Sequence, residues 1–477
     1  MNQVENWKVS NMSAGYKTEF DRENGISSII DTLGGSNITQ VFVHSVTSLE
    51  NITELTAIVT GLEKYPERSL LVARPNDIVC VLNSVNNHYL QFLSSLEIGP
   101  KNGNLIVASS EGSHKHSNVS LSDSLMNNYE ALLTIKALIK KTKRIVLNPY
   151  VASPKEFKLA EILQKVLGRK VYIMGGNPKI VEIANYKHIV RKKAIELGIP
   201  VPEGDIVELK LRKDRSPIDL TPVEAAINRY IHKTGRVIVK GSYGFSGSSI
   251  MIVEGNPKSI QKALNTIALR TDNRMYIVEV MHDITTTPSV IMHIEPRNGS
   301  ILCVSLTDQV LNEKLVHEGN TYPSTAKTVD GMLLSAKKLS QWLQAEGYSG
   351  LVGFDFGEYF NSETGRFEHF LAEINPRNTA SVYPTSLMEH LNLKQAQKTG
   401  AYIEAFLSTN VKTNASSFAE LNELYGHLFF KPGTGKGLFP YNIGCLEYRK
   451  FTLAVFGRSR NEVIEMYEDF KTLLAKE

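Results

Sequence analysis

The sequence predicts a multidomain protein of α/β and α+β class: an N-terminal parallel α/β domain, a central domain built on paired strands, and a small C-terminal α+β unit. Three observations predict it. The chain has 477 residues, more than one core ordinarily holds, which favours three domains. From about residue 38 to 180 short apolar segments alternate with helical stretches, the pattern of a parallel sheet covered by helices. From about residue 181 the pattern changes to strand pairs joined by turn residues.

In the first region (residues 1–180) the expected strands are TQVFVHSV, SLLVA, DIVCVL, NLIVAS and KRIVLNPY, with helices over Tyr129 to Lys141 and Lys155 to Leu167. No GxGxxG follows the first strand, so there is no dinucleotide fingerprint. Ser110 to Ser122 reads as a polar loop whose His114 and His116 face solvent, since they lack the Cys/His ligand spacing of a metal site.

The second region (residues 181–410) opens with ANYKHIVRKKAIELGIPVPEGDIV, where Val190, Ala194 and Leu197 recur at helical spacing and Gly198, Pro200 and Pro202 end the helix. The strands RVIVK and SSIMIVE follow around the turn GSYGFSG. Next come a helix near Lys258 to Leu269, the strand MYIVEVM, and a hairpin closing at Pro296-Arg297-Asn298-Gly299. TDQVLNEKLVHEGNTYPS reads as a polar loop, and Gly331 to Ala345 as a helix. A division into two subdomains is expected near residue 272. NVKTNASS reads as a linker to the third region (residues 411–477), with CLEYRKFTLAVFG and a last helix. KPGTGKG lacks the GxxxxGK[ST] spacing and reads as a plain loop.

With 53 basic and 49 acidic residues and a net charge of +4, composition gives no ground for a nucleic-acid or membrane partner. Cys80, Cys303 and Cys445 lie far apart in apolar surroundings and read as buried thiols of a reducing compartment. The first residues lack an apolar signal core and no apolar run reaches the ~18 residues needed to span a bilayer. A cytoplasmic location is expected, and the oligomeric state is left open.

Chemistry is concentrated in GFDFGEYFNSETGRFEHFLAEINPRNTAS, starting at Gly353. If the chain folds back about Thr364, equal offsets bring Asp355 opposite Glu373. Alternation puts Glu373 and Asn375 on one face and Ile374 on the other. Three hard oxygen donors that leave room for phosphate oxygens suit Mg²⁺. The glycines of GSYGFSG permit close backbone approach to an anion, and Lys240 ends the strand before them. Asp355 lies between Phe354 and Phe356, where an unpaired carboxylate would be costly.

Lys187, Lys240 with its glycine loop, the strand MYIVEVMHD, Asp355 and the EIN element occur in an order that resembles the ATP-grasp superfamily, whose members include biotin carboxylase and D-alanine:D-alanine ligase. The resemblance covers about residues 181 to 400. It implies an ATP-grasp core preceded by a pre-ATP-grasp domain. Lys187 and Lys240 are then phosphate-binding lysines, and Gly244, Phe245, Ser246 and Gly247 a lid. Glu279, Val280 and Met281 begin the segment through His282 whose backbone reads the adenine edge and whose acid faces the exocyclic amine. Asp355, Glu373 and Asn375 are the metal ligands, and Arg377 contacts phosphate or the acyl intermediate, acting with Lys240 on the transferring oxygens.

The domain layout and the QVL and EGNTYP segments are also similar to peptide ligases of the pheganomycin type and related amino-acid ligases. The implied cofactors are ATP and Mg²⁺, with Mn²⁺ as a substitute. The implied activity is ADP-forming ligation of a small-molecule carboxylate, as an acyl phosphate, to an amine. The alternatives are transfer to the thiol of a carrier protein and a non-catalytic nucleotide-binding module. His282 and His317 are candidate bases for the amine.

Overall fold

The computed structural model describes residues 17–34, 37–46, 60–101, 103–109, 120–139, 144–243, 250–270, 274–296, 298–313, 315–396 and 400–476. Strands β1 (Ile38–Val43), β2 (Ile78–Val81), β3 (Leu105–Val107), β4 (Arg144–Pro149) and β5 (Val171–Ile173) form a parallel sheet in the order β3-β2-β1-β4-β5. Both faces are covered, as parallel sheets require. Ile78, Cys80 and Leu147 face the helices Tyr129–Leu138 and Pro154–Leu167, while Phe42, Val79 and Val146 join a core shared with the C-terminal strands. SLLVA is not a strand. It ends a 3₁₀ helix, Leu62–Leu71, in which the Ser69 hydroxyl donates to the Pro66 carbonyl at 2.7 Å. A short buried apolar run carries no periodicity that separates the two.

Strands β6 (Gly204–Glu208), β7 (Arg236–Gly241), β8 (Ile250–Glu254) and β9 (Met275–Val280) make a small antiparallel sheet in the order β6-β9-β7-β8. The helices Thr221–Thr234 and Pro257–Ala268 bury Ile227 and Ile267 against its Val237, Val239 and Val278.

The remaining strands form one nine-stranded antiparallel sheet: β10 (Ile284–Thr286), β11 (Pro288–Ile294), β12 (Ile301–Leu311), β13 (His317–Tyr322), β14 (Gly350–Asn361), β15 (Arg366–Asn375), β16 (Ala405–Lys412), β17 (Gly437–Tyr441) and β18 (Lys450–Gly457). β10 and β11 follow one edge of β14 and β15 the other; from β11 the order continues β12-β13-β16-β18-β17. The helix Val329–Ala345 packs Met332, Ala336 and Leu339 under this sheet.

Two expectations change here. The segment from Thr307 to Ser324 consists largely of paired strands, β12 and β13. Its polar residues looked like loop because their partners are distant in sequence: Asp308 is buried and accepts from Ser324, Thr325 and Arg460. The expected linker at residue 410 begins inside β16, which pairs with both β13 and β18, so the 410/411 boundary cuts a strand of the large sheet. The expected split near residue 272, the tip residue Arg297, and His114 and His116 lie outside the described residues. The chain passes from the small sheet to the large one between β9 and β10. All three cysteines are buried and free. Among the described residues no helix is long and apolar enough to cross a membrane.

Candidate nucleotide and metal site

The β14–β15 hairpin does place Asp355 opposite Glu373, through a feature the sequence did not reveal. Around the turn Asn361 pairs with Arg366 and Phe356 with Leu371, a register that by itself would set Asp355 against Ala372. An extra residue enters β15 at Ala372, and the ladder resumes at Asp355 and Glu373. Such a bulge puts two successive side chains on one face. Accordingly Phe370, Ala372, Glu373 and Asn375 all line the cleft, while Leu371 and Ile374 enter the core.

The carboxylate of Asp355 accepts from Ser289, its neighbour on β11, at 2.7 Å, and from the Asn375 side-chain amide, also at 2.7 Å. Burial, and secondarily the like charge of Glu373, push its pKa up to about 6. A divalent cation would relieve both effects. Among the described residues no group of three or more His, Cys, Asp or Glu side chains is arranged for a metal. A cation here would therefore be held by two carboxylates, the Asn375 amide oxygen after its rotation, and oxygens of a bound phosphate. The donor set fits Mg²⁺.

The two lysines come from separate elements. Lys187 opens the helix Lys187–Glu196, its N–H bonded to the Ser242 carbonyl at 2.9 Å, and its ammonium lies 3.6 Å from Glu373. Lys240, near the end of β7, is also buried, and its ammonium pairs with Glu279. The other oxygen of Glu279 accepts from Arg191 at 3.0 Å. Both oxygens of this buried acid are thus held by cations.

The neighbouring backbone is also partly committed. Val280 N–H donates to the Glu203 carbonyl at 2.8 Å and Met281 N–H to that of Arg236 at 3.3 Å. Val280 and Met281 can thus offer a nucleobase their carbonyls, with a donor left to His282. The His282 ring stacks on Tyr359, centroids 4.0 Å apart. Gly244, Phe245, Ser246 and Gly247 lie outside the described residues.

Lys187, Lys240, Asp355, Glu373, Asn375 and Arg377 line one open cleft of about 1300 Å³. Arg377 follows the hairpin on a segment anchored to the N-terminal sheet: Asn378 donates through its backbone to Tyr150 O and through its side chain to Pro149 O, each at 2.9 Å. Among the described residues the Nε of Arg377 has no hydrogen-bond partner, and no carboxylate pairs with this arginine. The candidate base His317 reaches the same cleft, its Nε2 3.1 Å from Asn320 Oδ1.

Several contributors escaped the sequence reading. Ser289 could have been found by pairing the hairpin with β11, but Arg191 and Tyr150 carry no motif.

Among solved structures, the chain resembles the biotin carboxylase–β,γ-ATP complex of Campylobacter jejuni, with 14% identity, a TM-score of 0.51, and coverage of 90% of this chain and 89% of that one. The architecture is that of the ATP-grasp fold. N5-carboxyaminoimidazole synthetase of Staphylococcus aureus, complexed with ADP, aligns over 92% of this chain and 98% of its own at 13% identity, with a TM-score of 0.49. No protein-family model and no curated protein matches the chain. At these identities the likeness is one of fold, and function rests on the residues that the ATP-grasp fold gathers here.

Proposed function

We propose that the protein is an ATP-dependent, ADP-forming ligase that activates a carboxylate as an acyl phosphate and joins it to an amine, the substrates being amino acids or peptides. The observation that carries this reading is the convergence of Lys187, Lys240 and Arg377 with Asp355, Glu373 and Asn375 on one cleft. A carboxylate oxygen attacks the γ-phosphorus of ATP, and ADP leaves with the bridging oxygen. The amine then attacks the acyl carbon, expelling phosphate and losing a proton. The first step needs no side-chain nucleophile. It needs alignment and charge neutralisation, which lysines and an arginine supply from fixed positions. Mg²⁺, when bound, would neutralise the phosphate oxygens. The amino-acid or peptide class draws its support from the resemblance in domain layout.

The test is an ADP-release screen of amino acids, singly and in pairs, with mass analysis of products. With ATP, the carboxylate substrate and hydroxylamine, the expected product is a hydroxamate. Formation of AMP and pyrophosphate, or no nucleotide turnover with any pair, would overturn the reading.

A further inference from the structure

A second pocket opens beside the cleft. It is open to solvent, spans about 920 Å³ and shares Tyr150, His317, Asn320, Arg377 and Ala380 with the cleft. Val46 and Tyr150, which follow β1 and β4, line it. These strands are neighbours at the centre of the parallel sheet, where the order β3-β2-β1-β4-β5 reverses direction. Ligands of open parallel sheets sit at this position, outside the carboxyl ends of the strands.

One wall of the pocket carries Arg68, from the 3₁₀ helix Leu62–Leu71. The residue is only 8% exposed. Its guanidinium carbon lies 4.2 Å from the ring centre of Tyr65, 4.7 Å from that of Tyr383 and 5.7 Å from that of Tyr150. Its Nε donates to Tyr65 O at 3.4 Å, while its Nη2 has no hydrogen-bond partner among the described residues. The adjacent acid, Glu67, is turned away to accept from Gly444 N–H at 2.7 Å. Among the described residues the one carboxylate lining the pocket, Glu318, is exposed and accepts from Asn312.

Arginine cannot shed its charge on burial, and aromatic faces offset only part of its desolvation. A planar guanidinium with unused donors matches a carboxylate in bidentate geometry. We propose that Arg68 is the anion-binding residue of a substrate subsite, taking a carboxylate other than the one activated. That carboxylate belongs either to the amine acceptor, as the free acid of an amino acid or peptide, or to a second acid group on the donor. The inference rests on the ligase reading and gives it a specificity determinant.

The test compares wild type with R68Q, R68K and N410D; Asn410 lies on the exposed rim of the pocket, where an isosteric change adds an opposing charge. ADP release is measured with free amino acids against their carboxamides as acceptors, and with dicarboxylates against monocarboxylates as donors. Wild type should prefer the carboxylate-bearing member in one of these two arms, which identifies its source. R68Q should raise the KM of that substrate roughly 10–100-fold, with KM for ATP within about twofold, and narrow the preference over the uncharged analogue. R68K should fall between, keeping charge without the fork, and N410D should act in the same direction as R68Q. An unchanged KM in both R68Q and N410D, or equal use of acids and carboxamides together with equal use of mono- and dicarboxylates by wild type, would overturn the assignment. If R68Q does not fold, N410D decides.

If wild type releases no ADP with any pair, the ligase reading fails by itself. Arg68 is then judged by calorimetric titration with N-acetylglycine and N-acetylglycinamide. Binding of the acid alone, weakened at least roughly tenfold in R68Q or N410D, supports the site, and equal behaviour of acid and amide or of wild type and variants overturns it.

Discussion

The ammonium of Lys187 lies 3.6 Å from the carboxylate of Glu373, so a cation suited to phosphate neutralises a residue suited to metal. The pair joins the start of one helix to the bulged end of β15. A metal ion on Glu373 would release Lys187 toward the phosphate oxygens. The two ligands would then share one exchange of partners, and each should favour the other's binding.

Glu373→Gln should therefore remove turnover while sparing the fold. The side chain is partly exposed and among the described residues it makes a single ion pair, so little stability depends on it. ADP release should fall roughly 10²-fold or more, with the melting temperature nearly unchanged. Equal turnover at saturating Mg²⁺ would refute the metal assignment.

Lys240→Ala should weaken ATP binding and also destabilise the protein. Lys240 is buried against Glu279, which Arg191 also grips. Removing one partner of a buried pair costs about 3–5 kcal/mol, and the remaining arginine should hold the loss near the low end. Adding Glu279→Ala should destabilise the protein further, because it leaves the buried Arg191 without its carboxylate, and should recover none of the ATP affinity, as read by denaturant melts beside nucleotide titration. Full stability in the single variant would show that the pair contributes nothing.

The helix from Lys187, the strand pairs and hairpins of the central region, and the pairing of Asp355 with Glu373 were legible because each has a local signal: spacing, alternation, or a turn. What escaped was non-local. The bulge at Ala372 leaves no mark on composition, yet it keeps Glu373 and Asn375 in the cleft. Symmetric counting about Thr364 reached the right pair only because it implied the same one-residue offset. The membership of β16–β18 in the large sheet depends on the pairing of β16 with β13, some ninety positions away at Glu318 and Thr409. Arg68 had no signal, because its partners are rings from three different segments.

Asn378→Ala should lower kcat more than it weakens nucleotide binding, because it loosens the segment that carries Arg377. Asn378 ties the segment carrying Arg377 to Pro149, and its neighbours Asn148, His44 and Tyr383 extend the same buried network. Loss of the side-chain bond should cost about 1–3 kcal/mol of stability because Pro149 O loses its donor. It should lower kcat for ADP release roughly 10-fold with KM for ATP nearly constant, and an unchanged kcat would assign Asn378 a purely structural role.

Glu67 supplies a pH dependence independent of the cleft. Burial raises its pKa to about 7, against the opposing effects of the Gly444 N–H bond and of Lys64 and Arg68. A carboxyl whose folded pKa exceeds its ordinary 4.5 favours the folded state when protonated. Its stabilising contribution is complete below about pH 4.5 and is lost as pH rises through about 7. Glu67→Gln keeps an oxygen to accept from Gly444 and removes the buried charge. The variant should match wild type near pH 4.5 and melt higher by roughly 2–5 °C near pH 8. Thermal melts at the two pH values check this, and a variant that melts lower than wild type at pH 8 would mean that the ionised carboxylate stabilises the fold beside Lys64 and Arg68.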